Sequence, residues 1–153
     1  MKTPPKLELE VSLAARRPWT PRVRQLARWA GAALAPLRRS VVLSVRVVGA
    51  ARSRTLNARY RRKNKATNVL SFAGAGIAPD GRLFLGELVI CAPVVAREAH
   101  SGGISLEAHW AHLTVHGVLH LLGFDHEGAA EAAKMAAKEV QILDRLGFSD
   151  PYR

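Results

Sequence analysis

His116-Gly117-Val118-Leu119-His120-Leu121-Leu122-Gly123-Phe124-Asp125-His126 decides how the C-terminal half of this chain is built. Residues four apart on a helix lie one above the other on the same face, so His116 and His120 can aim their imidazoles at one point. Gly123 can adopt the left-handed conformation that stops a helix and turns the chain. That turn brings His126 back toward the same point. Three imidazoles around one cation, with a fourth position open, is the catalytic rather than the structural pattern for zinc. The site is expected to take one zinc ion, although imidazole also suits nickel, copper or iron.

Outward from this stretch the elements alternate in type. Ser105 caps a helix that runs to about Leu122 and carries the histidines. Downstream, Ala132, Met135, Ala136, Val140, Leu143 and Leu146 stripe a last helix that Gly147 stops. Upstream, Pro93 to His100 reads as a short helix. Arg82–Ile90 reads as a strand hairpinned to another at Thr67–Phe72, across a loop over Ala73–Gly81. Arg52 to Lys65 is a basic segment of short helix and loop. Leu7–Leu13 alternates with period 2, and Val41–Val48 is β-branched; both read as strands. Between them Thr20-Pro21 reads as a cap and first helical position, Val23, Leu26, Ala27, Ala30 and Leu34 form a stripe, and Pro36 ends the helix. The expectation is an α+β fold: one domain over residues 1–153, with a small mixed sheet of about four strands and about five helices. The metal helix falls in the C-terminal half, and residues 1–5 and 150–153 are expected to be loose.

Charge divides the chain. Residues 1–65 hold 17 of the 23 Lys and Arg and two acids, a net +15, while the remainder carries −4. Clustered cations gain affinity by releasing counterions from phosphates, so a polyanion partner is expected. No apolar run approaches the roughly 18 residues of a membrane span. With no apolar signal core at the N-terminus, a cytoplasmic protein without a membrane partner is expected. Cys91 is the only cysteine, which excludes a disulfide or a cysteine zinc site; it reads as a small buried hydrophobe.

All six histidines lie between residues 100 and 126. His112, His116 and His120 are spaced by four, so His112–His116 is an alternative pair. Only His116–His120 leaves the helix within a turn of Gly123. His112 then lines a substrate groove, orients a ligand or borders the core. The spacing is that of a metzincin protease motif, but Gly117 stands where the protease keeps its general-base glutamate. A zinc deaminase wants P-C-x-x-C ligands, which one cysteine cannot supply. Carbonic-anhydrase-like chemistry leaves the basic half unexplained. Phosphodiester hydrolysis fits best: a zinc-polarised water supplies the nucleophile, and a guanidinium holds the phosphate.

That guanidinium is expected from the basic segment, where Arg52, Arg54, Arg59, Arg61, Arg62, Lys63 and Lys65 place seven cations in fourteen residues. The run Leu56-Asn57-Ala58-Arg59-Tyr60-Arg61-Arg62-Lys63-Asn64-Lys65-Ala66-Thr67-Asn68-Val69-Leu70-Ser71-Phe72 resembles the L-N-x-x-Y-R-x-K-D-x-P-T-[DN]-V-L-S-F-P signature of the YbeY family of metal-dependent endoribonucleases. Leu85-Gly86-Glu87-Leu88-Val89-Ile90 resembles its L-G-D-I-V-I segment, and His112 to His126 its H-x-x-x-H-G-x-L-H-L-x-G-[YF]-D-H segment. The resemblance implies an α+β fold, one zinc on His116, His120 and His126, and a functional arginine at Arg61. From the basic segment itself, Arg59, Arg62, Lys63 and Lys65 are expected to add nearby RNA contacts, and His112, one turn before the pair, is a further candidate. The resemblance also implies a single-strand-specific endoribonuclease that matures the 3′ end of 16S rRNA and serves ribosome quality control, with the small ribosomal subunit and assembly-factor proteins as partners. Asn64, Ala66, Ala73 and Glu87 depart from the family residues Asp, Pro, Pro and Asp. The competing readings are a zinc metalloprotease-like hydrolase and a non-catalytic RNA-binding assembly factor.

Overall fold

The computed structural model describes residues 5–15, 17–125 and 127–153, so His126 lies outside the described residues. Four strands and five helices are seen among them: β1 (Leu7–Leu13), α1 (Val23–Leu34), β2 (Val41–Val48), α2 (Ala50–Arg61), β3 (Val69–Ile77), β4 (Leu83–Cys91), α3 (Ala92–Gly102), α4 (Leu106–Leu121) and α5 (Ala129–Arg145). The sheet is mixed, in the order β1-β2-β4-β3. β1 and β4 both run parallel to β2, and β3 is an edge strand antiparallel to β4. This is the expected α+β architecture.

The inward residues of β2, Val41, Leu43, Val45 and Val47, alternate with outward ones as a half-covered strand requires. They pack with Leu88 and Ile90 of β4 against Leu26, Trp29 and Ala30 of α1, and against Trp110, Val115 and Val118 of α4. Removing side chains of this size from water contributes about 1.5–3 kcal/mol each. A smaller cluster on the other face joins Val48, Leu70, Val89 and Cys91 to Leu56 of α2 and Val94 of α3. Cys91 is fully buried, in keeping with its reading as a core residue.

Two boundaries differ from expectation. α1 starts at Val23 rather than Pro21, because the Arg22 N–H donates to Gln25 Oε1 at 2.8 Å and so caps the helix two residues beyond Thr20. β3 continues through the expected loop as far as Ile77; a register shift between Ala73 and Gly76 lets the strand pass the departure at Ala73 and stay paired. Near the C-terminus the Tyr152 hydroxyl donates to buried Glu139.

Candidate metal centre and cleft

α4 is surrounded. Trp110, Ala111, Leu113, Thr114, Val115, Gly117, Val118 and Leu119 are all buried, which leaves one narrow stripe toward solvent. His112, His116 and His120 occupy it. The helix begins on Ser105, whose side chain accepts from the Ala108 N–H. It ends at Gly123, with φ +100°, where the Gly123 and Phe124 N–H groups donate to the carbonyls of His120 and Leu119. The turn read from Gly123 is therefore present. Asp125 follows it and accepts from the Glu127 N–H at 3.0 Å, and Gly128 is the N-cap of α5.

Gly117 is where α4 meets the sheet. A Cβ there would lie 2.7 Å from Leu88 Cδ2 and 3.4 Å from Val69 Cγ2, and the Gly117 carbonyl accepts from Ser71 Oγ at 3.3 Å. The position faces the core, one step around the helix from the histidine stripe. A glutamate here would point at Leu88 instead of the cleft, so position 117 is not placed to carry a general base.

His116 Nδ1 lies 2.5 Å from Glu139 Oε1, and Glu139, on α5, is 1% exposed. Its other oxygen accepts from the Tyr152 hydroxyl. His112 Nε2 sits 3.3 Å from that hydroxyl and 3.6 Å from Glu139 Oε1. Burial alone would raise the Glu139 pKa; hydrogen bonds from His112, His116 and Tyr152 outweigh it and hold the carboxyl at about 2. The Tyr152 phenol is pushed up by burial and by its bond to Glu139. Ligand atoms of His112, His116 and Glu139 all lie within 4.8 Å of one another, a grouping able to hold a divalent cation. The alternative His112–His116 pairing thus has a structural counterpart. His120, one turn on, stacks on His116 with ring centroids 6.4 Å apart and planes 13° apart. His116 Nδ1 on a carboxylate leaves Nε2 directed elsewhere, the usual arrangement of a metal-binding histidine and its outer carboxylate.

Glu139 and Tyr152 were not singled out in the sequence. Glu139 had a signal: it falls four residues after Met135 and four before Leu143, inside the apolar stripe of α5, where an unpartnered acid is costly.

His116 and His120 also line a cleft of about 420 Å³, together with Arg61, Tyr60 and residues 69–72 of β3. Arg61 is the last residue of α2, and Arg62 follows in the left-handed conformation, φ 58°, turning the chain toward β3. Asn57 Nδ2 donates to the Lys65 carbonyl at 2.9 Å, and Ser53 Oγ bonds both the N–H and the carbonyl of Thr67 at 3.0 Å. These bonds hold the connector where Asn64 and Ala66 replace the family's aspartate and proline. Tyr60 packs edge-on to Phe72 with centroids 5.1 Å apart, and the Arg59 guanidinium sits 5.5 Å from the Tyr60 ring centre. Arg59, Arg62, Lys63 and Lys65 are exposed; of the segment 59–65, Tyr60 and Arg61 form the cleft wall among the described residues.

The chain matches known proteins over nearly its whole length. Residues 16–147 match the family model described as endoribonuclease YbeY. The chain is 51% identical over 154 residues to an endoribonuclease YbeY of Stenotrophomonas maltophilia, covering 97% of this chain and 95% of that one. It is 48% identical over 151 residues to one of Laribacter hongkongensis, covering 97% and 91%. A solution structure of a Thermotoga maritima protein shares the fold, with a TM-score of 0.56 at 18% identity over 92% of this chain and 91% of that one. With the family model matched over most of its length, and relatives at about half identity end to end, this chain belongs to the YbeY endoribonuclease family.

Proposed function

We propose that this chain is a zinc-dependent, single-strand-specific endoribonuclease of the cytoplasm. In this reading it matures the 3′ end of 16S rRNA and serves ribosome quality control, on the small ribosomal subunit and alongside assembly-factor proteins. The supporting observation is that Arg61 lines the same cleft as His116 and His120 although 55 residues separate it from the first of them. Family membership makes the protein a hydrolase, and the +15 half supplies the field a polyanion needs.

The proposed zinc ligands are His116, His120 and His126. The donor chemistry fits: ionised Glu139 accepts from His116 Nδ1–H, which fixes the tautomer and turns the Nε2 lone pair outward. When bound, zinc supplies Lewis acidity toward a phosphoryl oxygen and lowers the pKa of water. Arg61 offers paired N–H donors to the phosphate and neutralises charge that develops on it. Arg59, Arg62, Lys63 and Lys65 hold flanking phosphates, and His112 stands at the edge of the substrate path.

Metal analysis combined with cleavage of precursor 16S rRNA tests the reading. His116→Ala should lose metal and cleavage together, and Arg61→Ala should lose cleavage while keeping metal and fold. Unchanged cleavage by Arg61→Ala would overturn the role of Arg61. An active preparation in which His116→Ala cleaves equally well would overturn the metal-dependent mechanism.

A further inference from the structure

His116 is also a wall of a second cavity, of about 390 Å³, on its other side. Asn68, Glu98, Ser101, His109, His112 and Tyr152 line it with Leu113, so polar side chains sit in a largely apolar, partly aromatic surround, whereas the first cleft holds Arg61. Its polar groups are held in place. Asn68 Oδ1 accepts from the Val69 N–H at 2.6 Å, which points Nδ2 at Glu98 Oε1, 3.1 Å away. His109 Nε2 donates to the same oxygen at 2.9 Å. Glu98 Oε1 therefore has two donors, while Oε2 has a single long contact of 3.4 Å to Asn68 among the described residues. A carboxylate oxygen has two acceptor sites and donates nothing when ionised, so Oε2 keeps capacity for an incoming N–H. The Glu98 side chain is 40% exposed, within reach of a ligand. Tyr152 is 56% exposed; its hydroxyl is pinned to Glu139, and its ring stands edge to face with His112, centroids 5.5 Å apart.

We propose that this cavity is a subsite for the unstacked base of a nucleotide beside the cleaved phosphodiester, and that Glu98 selects bases presenting an amino group over uracil. The inference rests on the ribonuclease reading above. An aromatic wall accepts any base face, because stacking is sequence-tolerant. Discrimination comes from the acceptor at the far wall. Cytosine, adenine and guanine each offer an exocyclic amino donor to Glu98 Oε2. Uracil's one donor, N3–H, lies between two carbonyl oxygens, which would face the carboxylate and repel it. The shared wall at His116 places a base in this cavity and a phosphate near Arg61 within one continuous substrate path.

The test is a titration of the zinc-loaded, isotope-labelled full chain with cytidine or uridine 5′-monophosphate, followed by NMR at the Asn68 side-chain amide and the Tyr152 backbone amide. The two probes share phosphate and sugar and differ at the pairing edge. Cytidine monophosphate should bind at least about tenfold more tightly, the factor for one hydrogen bond to a charged group, and should shift both signals. Glu98→Gln presents an amide donor in place of Oε2 and should abolish or reverse the preference. Equal binding of the two nucleotides by the wild-type chain would overturn the inference, as would a preference that survives Glu98→Gln. Cleavage of a single-stranded oligoribonucleotide by the same preparation reads the ribonuclease function separately. A chain that cleaves without base preference refutes the subsite alone, and a chain that prefers cytidine monophosphate but cleaves nothing refutes the ribonuclease reading alone.

Discussion

Restoring the protease-like glutamate by Gly117→Glu should unfold the protein rather than give it peptidase activity. A Cβ at this position would lie 2.7 Å from Leu88 Cδ2 and 3.2 Å from Cδ1, and Leu88 is fully buried. Gly117→Ala isolates that contact. Overpacking of this kind costs about 1–3 kcal/mol, and alanine recovers about 1 kcal/mol of helix propensity, leaving a net loss of about 1 kcal/mol. For a domain of this length the melting temperature falls by about 3 °C. Gly117→Glu adds the rest of the side chain and a carboxylate with no partner against Leu88 and Val69, a further 3–5 kcal/mol or so. That sum approaches the total stability of an ordinary domain. Differential scanning calorimetry should show the small drop for alanine, and insoluble or non-cooperatively melting protein for glutamate. Leu88→Ala should remove the clash, so a double-mutant cycle with Gly117→Ala should give a favourable coupling of about 1 kcal/mol. A Gly117→Glu protein melting within about 2 °C of wild type would show that residue 117 faces the cleft and that the steric argument is wrong.

Other outcomes follow from the same geometry. Arg61→Ala should lower kcat by about a hundredfold with melting unchanged, and Arg61→Lys should recover little of it, because a lysine cannot reproduce the paired donors; steady-state cleavage of an oligoribonucleotide measures both. Glu139→Gln keeps the shape of the bond to His116 but removes its charge, and should weaken zinc binding by about 10–100-fold in a competition titration with a chelator. Glu139 has a folded pKa of about 2 against an ordinary 4.5, so it binds its proton less readily when folded. Its contribution to the metal-free protein is present above about pH 4.5 and is lost as the pH falls toward 2. The gap in urea midpoint between wild type and Glu139→Gln should therefore narrow from pH 6 to pH 3.

Much of this architecture was legible because its determinants are local. The alternation in Leu7–Leu13, the β-branched run at Val41–Val48 and the cap at Ser105 each act within a few residues, and each element lies where its pattern put it. The errors share one origin. Thr20-Pro21 is a sound cap by itself, but Gln25 offers a better one three residues after Arg22. Ala73–Gly76 carries small residues that read as a loop, yet pairing with β4 keeps the strand in register past them. The metal centre divided in the same way. The i, i+4 spacing exposed the histidine stripe, whereas Glu139 and Tyr152 reach it only through the packing of α5 and the chain end on α4; the apolar stripe of α5 marks Glu139 as an acid in need of a partner but does not name His116 as that partner. Gly117 was legible as an absence of a base; only the structure shows that the position faces the Leu88 side chain rather than the cleft.

β3 closes one side of the sheet, with the cleft along it and the cationic end of α2 beside it. An open strand edge is a template on which another chain can grow, and lysine and arginine near such an edge deter that growth by mutual repulsion. In the proposed reading Arg59, Arg61, Arg62, Lys63 and Lys65 hold phosphates, and Arg61, which lies beside β3, is expected with its basic neighbours to discourage self-association as well. Neutralising them together removes both duties at once, so a multiply substituted protein that loses cleavage must first be shown by light scattering to be still monodisperse. Single substitutions at Arg61 leave the guard standing and report on the chemistry alone.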